Sequence, residues 1–162
     1  PVFVPDSTPP APVTNLAAGE PGSNTMRLTW TAPGDDGSTG WVARYELRYS
    51  TAPITEAGFA AATPAPAPDP QTAGSSESVE VAGLAFSTTY YFALKAFDEV
   101  DNPGPISNVA SATTLGIPDL SAVPTSFFQE LLTGATATQT LTLKNDGAGT
   151  LDFTIPAPGL PV

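Results

Sequence analysis

An all-β fold, an antiparallel β-sandwich, is predicted for this 162-residue chain by three observations. About seven short segments alternate apolar and polar residues within roughly a hundred positions. Gly (14) and Pro (19) make up about a fifth of the sequence, enough to place a turn between successive segments. No stretch shows the apolar spacing of a helix, so the strands must cover one another.

The elements follow in order. Residues 1–12, PVFVPDSTPPAP, carry five prolines, which favour extended backbone, and positions 1–8 are expected to be a linker. A strand is expected around Val13 to Ala18. In Thr25 to Trp30, the residues Met26, Leu28 and Trp30 alternate with Thr and Arg, the pattern of a half-buried strand that Pro33 and Gly34 close. Trp41 to Ser50 puts Tyr45, Leu47 and Tyr49 on one face and Arg44, Glu46 and Arg48 on the other. A short edge strand or turn is expected near Ile54 to Phe59. Pro64, Pro66, Pro68 and Pro70 then exclude a central strand, since each lacks a ladder donor. Ser78 to Val81 resumes the alternation. Thr88 to Asp98 is the strongest strand signal, with Tyr90, Phe92, Leu94 and Ala96 inward and Tyr91, Ala93, Lys95 and Phe97 outward. A last strand is expected over Ile106 to Thr114.

The residues that carry this pattern also resemble a known family. Pro12-Val13 through Leu16, Leu28-x-Trp30 followed by Pro33, Tyr45-x-Leu47-Arg48-Tyr49, Leu84-x-Phe86-x-Thr88-x-Tyr90 and Ser107-Asn108 before Ala112-Thr113-Thr114 are similar to a fibronectin type III domain over about 9–115. The resemblance implies an immunoglobulin-like sandwich whose core holds Trp30, Tyr45, Tyr90 and Phe92. It also implies that Tyr90 forms a tyrosine corner. Phe86 stands where the family usually has proline.

Gly116-Ile117-Pro118 reads as a hinge. Beyond it, Leu141/Leu143 and Leu151/Phe153/Ile155 alternate on either side of Asn145-Asp146-Gly147-Ala148-Gly149, which predicts a hairpin. Residues 119–162 resemble the first part of an immunoglobulin-like domain of bacterial secreted proteins, a partial second sandwich. So short a segment cannot build such a core alone, and it must dock, pair with another chain or belong to a longer domain. The start at Pro1, without a charged and apolar leader, is expected of a chain processed from a longer one.

Composition excludes many functions. There is no His or Cys, which removes Ser/His and Cys/His nucleophiles, ordinary zinc and haem ligation and disulfides. A net charge of -11 with five cations disfavours nucleic acid and anionic membrane surfaces, and no apolar run is long enough for membrane insertion. Neighbouring acids read as solvated surface rather than a glycosidase pair, and Gly34 to Gly40 lacks the lysine of a phosphate loop.

Two sets of candidate residues remain. In the implied topology the loop with Asp35 and Asp36 and the loop with Asp98, Glu99, Asp101 and Asn102 emerge at one end. They form a candidate calcium site to be weighed against solvated loop acids. Strand pairing with another chain is the second candidate, through Val2, Phe3 and Val4 of the amino-terminal arm and Leu151, Phe153 and Ile155. Trp41, Tyr91 and Phe97 either offer an aromatic platform or are covered by packing. No catalytic residue is assigned and no cofactor other than calcium is considered. The expected role is a non-catalytic accessory, spacer or protein-interaction module of a secreted or cell-surface bacterial protein. The alternative is a structural subunit of an extracellular filament or surface layer, self-assembled by strand complementation. Partners are then proteins or the remainder of a larger polypeptide.

Overall fold

The computed structural model describes residues 6–154. It divides into two units, 1–115 and 116–162. Among the described residues the first has seven strands: β1 (Ala17–Gly19), β2 (Thr25–Thr31), β3 (Arg44–Ser50), β4 (Thr63–Ala65), β5 (Ser76–Ala82), β6 (Thr89–Phe97) and β7 (Ala110–Thr113). They form a three-stranded sheet in the order β1-β2-β5 and a four-stranded sheet in the order β4-β3-β6-β7, with all pairings antiparallel.

Alternation within each strand builds the core between these sheets. Met26, Leu28 and Trp30 of β2 meet Tyr45 and Leu47 of β3 and Tyr90, Phe92 and Leu94 of β6 in one buried cluster. Trp30 and Tyr45 contact edge to face with centroids 5.4 Å apart, and Tyr49 and Tyr90 do so at 5.6 Å. Burying each such side chain stabilises the fold by roughly 2–3 kcal/mol. The Tyr90 hydroxyl accepts a bond of 3.0 Å from the Ala85 N–H, holding the connection that leads into β6.

A second apolar layer lies on the other face of β6, where outward positions were expected. Ala93 is fully buried there with Ile54 and Phe59, and Tyr91 and Ile106 pack against them. The cover comes from residues 51–62, which form no strand near Ile54 but a 3-10 turn at Phe59–Ala61. Arg48 holds that turn by donating to the carbonyls of Ala60 and Ala62 at 3.0 and 2.8 Å. Pro64 sits in β4, an edge strand, where a missing donor costs nothing.

The last strand is shorter than the Ile106 to Thr114 expected, because side chains occupy its first ladder positions. Ser107 Oγ accepts from Leu94 N–H. Asn108 turns instead toward the amino-terminal segment, accepting from Leu16 N–H and donating to the Leu16 carbonyl, both at 2.8 Å.

The second unit pairs β8 (Leu120–Val123) with β9 (Thr142–Asn145). This differs from the expected hairpin of Leu141/Leu143 with Leu151/Phe153/Ile155: residues 151–154 lie in no strand and Ile155 is outside the described residues. The cause is Asn145, whose Oδ1 accepts from the N–H groups of Asp119 and Gly147 and whose Nδ2 donates to the Gly149 carbonyl. Gly149 N–H in turn reaches the Ile117 carbonyl, so the turn folds back on residues 117–119.

The tyrosine corner gives a direct test of the first unit. Tyr90→Phe should lower unfolding stability by about 1–2 kcal/mol, measured by chemical denaturation, because the Ala85 N–H loses its acceptor in a half-buried place.

Candidate functional site

The polar loops at one end of the sandwich are each organised by a single residue. Between β2 and β3, Gly34 N–H bonds to the Gly37 carbonyl at 3.0 Å and Asp35 N–H to the Thr39 carbonyl at 2.8 Å. A Cβ on Gly34 would lie 2.4 Å from Thr39 N and 2.5 Å from Gly37 O, so no other residue fits this turn.

After β6, Asp98 does the corresponding work. It is only 1% exposed, and its Oδ1 accepts from the N–H groups of Val100 and Asn102 at 3.0 and 2.7 Å. Its Oδ2 accepts from Asn102 Nδ2 at 2.7 Å. Asp101 has a left-handed backbone with φ of 65° and binds Arg44 Nη2 at 3.0 Å, while the Arg44 guanidinium lies 3.6 Å from the centre of the Phe97 ring. Asp36 is exposed.

Of the six residues considered for calcium, then, the structure brings Asp35 and Glu99 together and engages Asp98, Asp101 and Asn102 elsewhere. It adds a residue that the sequence pattern did not single out. Asp6, Asp35 and Glu99 each offer a carboxylate oxygen, and these lie within 4.8 Å of one another. Asp6 is placed by its own carbonyl, which accepts from Asn102 Nδ2 at 3.3 Å, and by the nearby burial of Pro10. Nothing local in the proline-rich start signals this. The link exists only once the two distant loops are folded.

Burial pushes the Asp35 carboxyl up to about 6, with the adjacent Glu99 carboxylate the next cause and Asp36 and Asp98 adding to it. Its Oδ1 is sealed from solvent and has no hydrogen-bond partner among the described residues. A cavity of about 270 Å³ beside it is lined by Asp35, Gly40, Trp41, Ala43 and Glu99. Trp41 is 65% exposed, whereas Phe97 lies under Arg44 and Tyr91 packs on the second apolar layer, so the three aromatic residues make no common platform.

Chemically the arrangement attracts positive charge. The Glu99 carboxylate beside Asp35 favours the protonated form of Asp35, and an oxygen of each lies within 4.8 Å of the other. Among the described residues, those able to hold a metal ion together are Asp6, Asp35 and Glu99, which provide three of the six to eight oxygens that calcium takes.

The strand-pairing candidates are more dispersed. Val2, Phe3, Val4 and Ile155 lie outside the described residues; Leu151 is half-buried and Phe153 is 55% exposed, and neither belongs to a strand.

The Asp35 carboxyl fixes a pH dependence whose sign is opposite to the usual one for an acid. Its folded value of about 6 exceeds 3.8, so its favourable contribution is fully present below pH 3.8 and is lost as pH rises through 6. Asp35→Asn should flatten the melting temperature between pH 4 and 6 and stabilise the protein at pH 7 by about 1 kcal/mol after solvent screening.

Comparison with known proteins agrees with this architecture. A model of the fibronectin type III domain matches residues 11–113. The chain is 35% identical over 117 residues to calcium-activated chloride channel regulator 1 of Sus scrofa, covering 68% of this chain and 13% of that protein. It is 33% identical over 147 residues to exoglucanase A of Cellulomonas fimi, covering 91% of this chain and 15% of that protein. The crystal structure of chicken CNTN1 FN1-FN3 domains shares the fold, with a TM-score of 0.50 and 21% identity over 68% of this chain and 34% of that one. The chain spans less than a sixth of the length of the two relatives. The matched residues 11–113 take in all seven strands and the core between their sheets, and the chain belongs to the fibronectin type III family.

Proposed function

We propose that this chain is a non-catalytic accessory, spacer or protein-interaction module of a larger secreted or cell-surface polypeptide. One observation carries this reading: similar stretches form 13% of a channel regulator and 15% of an exoglucanase, proteins whose names denote unrelated activities. What such proteins have in common is a folded body, and the chemistry of each belongs to the remainder. The physical properties of the first unit suit that role. Its core closes around 15 buried hydrophobic residues, and the net negative charge of the chain keeps neighbouring modules apart.

A second reading rests on the second unit. Val123, Phe128 and Leu132 are 65%, 84% and 86% exposed, and a sheet of two strands is marginal in water. Strands donated by another chain would cover these residues, and repetition would build a filament or surface layer. The immunoglobulin-like resemblance of residues 119–162 supports the same need for further strands.

Both readings are tested on the purified chain. The module reading expects discrete particles in sedimentation at all concentrations and no reducing sugar released from cello-oligosaccharides above the buffer rate. Open-ended ordered assemblies would favour strand complementation, and sugar release would contradict a non-catalytic role.

A further inference from the structure

The sandwich manages its sheet edges unequally. β4 is three residues long and contains Pro64, with Pro66 just beyond it. β1 is also three residues long. β7 has four, and the segment before β1 runs close by, with Asn108 N–H donating to the Val13 carbonyl at 3.2 Å. β5 is different. Among the described residues it is the seven-residue strand that ends a sheet, with β2 on one side and no strand on the other, and it contains no proline. A free edge of this length is a template for pairing, and of the two acids on β5 Glu77 is buried, which leaves one exposed carboxylate, Glu80, on the strand.

Its side chains say which strand would fit. Val79, at the midpoint, points toward the core but is only half-buried, while Val81 beside it is 1% exposed and Leu28 opposite it is fully buried. We infer that β5 pairs with β5 of a second copy of this chain, antiparallel about a two-fold axis at Val79, joining two three-stranded sheets into one.

The register follows from charge and length. With the axis at Val79 all seven residues pair: Val79 meets itself, Ser78 meets Glu80 of the other copy and Glu77 meets its Val81. No acid opposes an acid. An axis at Glu80 would set two carboxylates face to face, which is unfavourable. An axis at Ser78 would leave the end of the strand unpaired. Glu77 does not obstruct the contact, because its carboxylate is turned inward to the Tyr45 hydroxyl and Gln71 N–H at 3.1 and 2.7 Å. The two-fold axis makes the contact closed, so it yields dimers and not fibres. The net charge of -11 on each copy opposes it, so the pair should strengthen with salt.

The absence of cysteine makes the test clean. Single variants V79C, S78C and S38C of the full chain are checked for native circular dichroism and oxidised, alongside sedimentation of the parent chain from micromolar to millimolar concentration at low and high salt. The inference expects a monomer–dimer equilibrium that shifts toward dimer with salt, and cross-linking of V79C at least tenfold faster than of S78C or of the loop control S38C. A monomer at every concentration would overturn it. So would a dimer in which V79C cross-links no faster than the other two, since association would then use another register or surface.

Discussion

One dry layer between two sheets is the constraint on which the first unit depends. Met26, Leu28 and Trp30 on one side and Tyr45, Leu47, Phe92 and Leu94 on the other exclude water from it. That exclusion makes polar placement demanding. Glu77 is 4% exposed, and it is tolerated because the Tyr45 hydroxyl and Gln71 N–H both donate to it. Burial, with this carboxylate nearby, raises the Tyr45 phenol above its usual range and keeps it a donor. The same bond to Gln71 ties down the end of the proline-rich segment. Core packing and the course of a surface loop are thus set together.

The loop end obeys the same rule with a different result. Asp98 satisfies its charge within its own turn, and the turn becomes rigid enough to present Glu99 and Asn102. Asn102 then draws in the backbone of Asp6. Asp35, held by the Gly34 turn, meets these groups, and no Lys or Arg side chain among the described residues pairs with it. The positive side chains are engaged elsewhere: Arg27 with Glu20, Arg44 with Asp101, Arg48 with Glu46, Lys95 with Glu56 and Lys144 with Asp146. Burial first, and then the neighbouring carboxylates of Glu99, Asp36 and Asp98, raise the carboxyl of Asp35.

Period-two alternation made the sandwich legible, because each strand had to bury one face. Leu28-x-Trp30 and Tyr90-x-Phe92-x-Leu94 could be assigned from a few residues. Features that depend on side chains acting as backbone substitutes were not legible in the same way. Ser107 and Asn108 shorten the last strand although the alternation places them inside it, and Asn145 directs toward residues 117–119 a turn that reads in sequence as a simple hairpin connection. The second layer around Ala93 was hidden because alanine reads as neutral on an outward position. Of the candidate site, the two acidic loops were legible, but which acids face each other was not. Asp98 and Asp101 have nearer partners, and Asp6 joins from a segment that reads as linker.

The first unit has a buried core of its own, whereas among the described residues the second buries no hydrophobic side chain. Hydrogen exchange of the full chain, resolved residue by residue, tests this contrast most directly. Slow exchange is expected throughout β2, β3, β5 and β6, with a common opening energy, and exchange near the unprotected rate across β8 and β9. Equal, strong protection of β8 and β9 in a monomeric sample would contradict it.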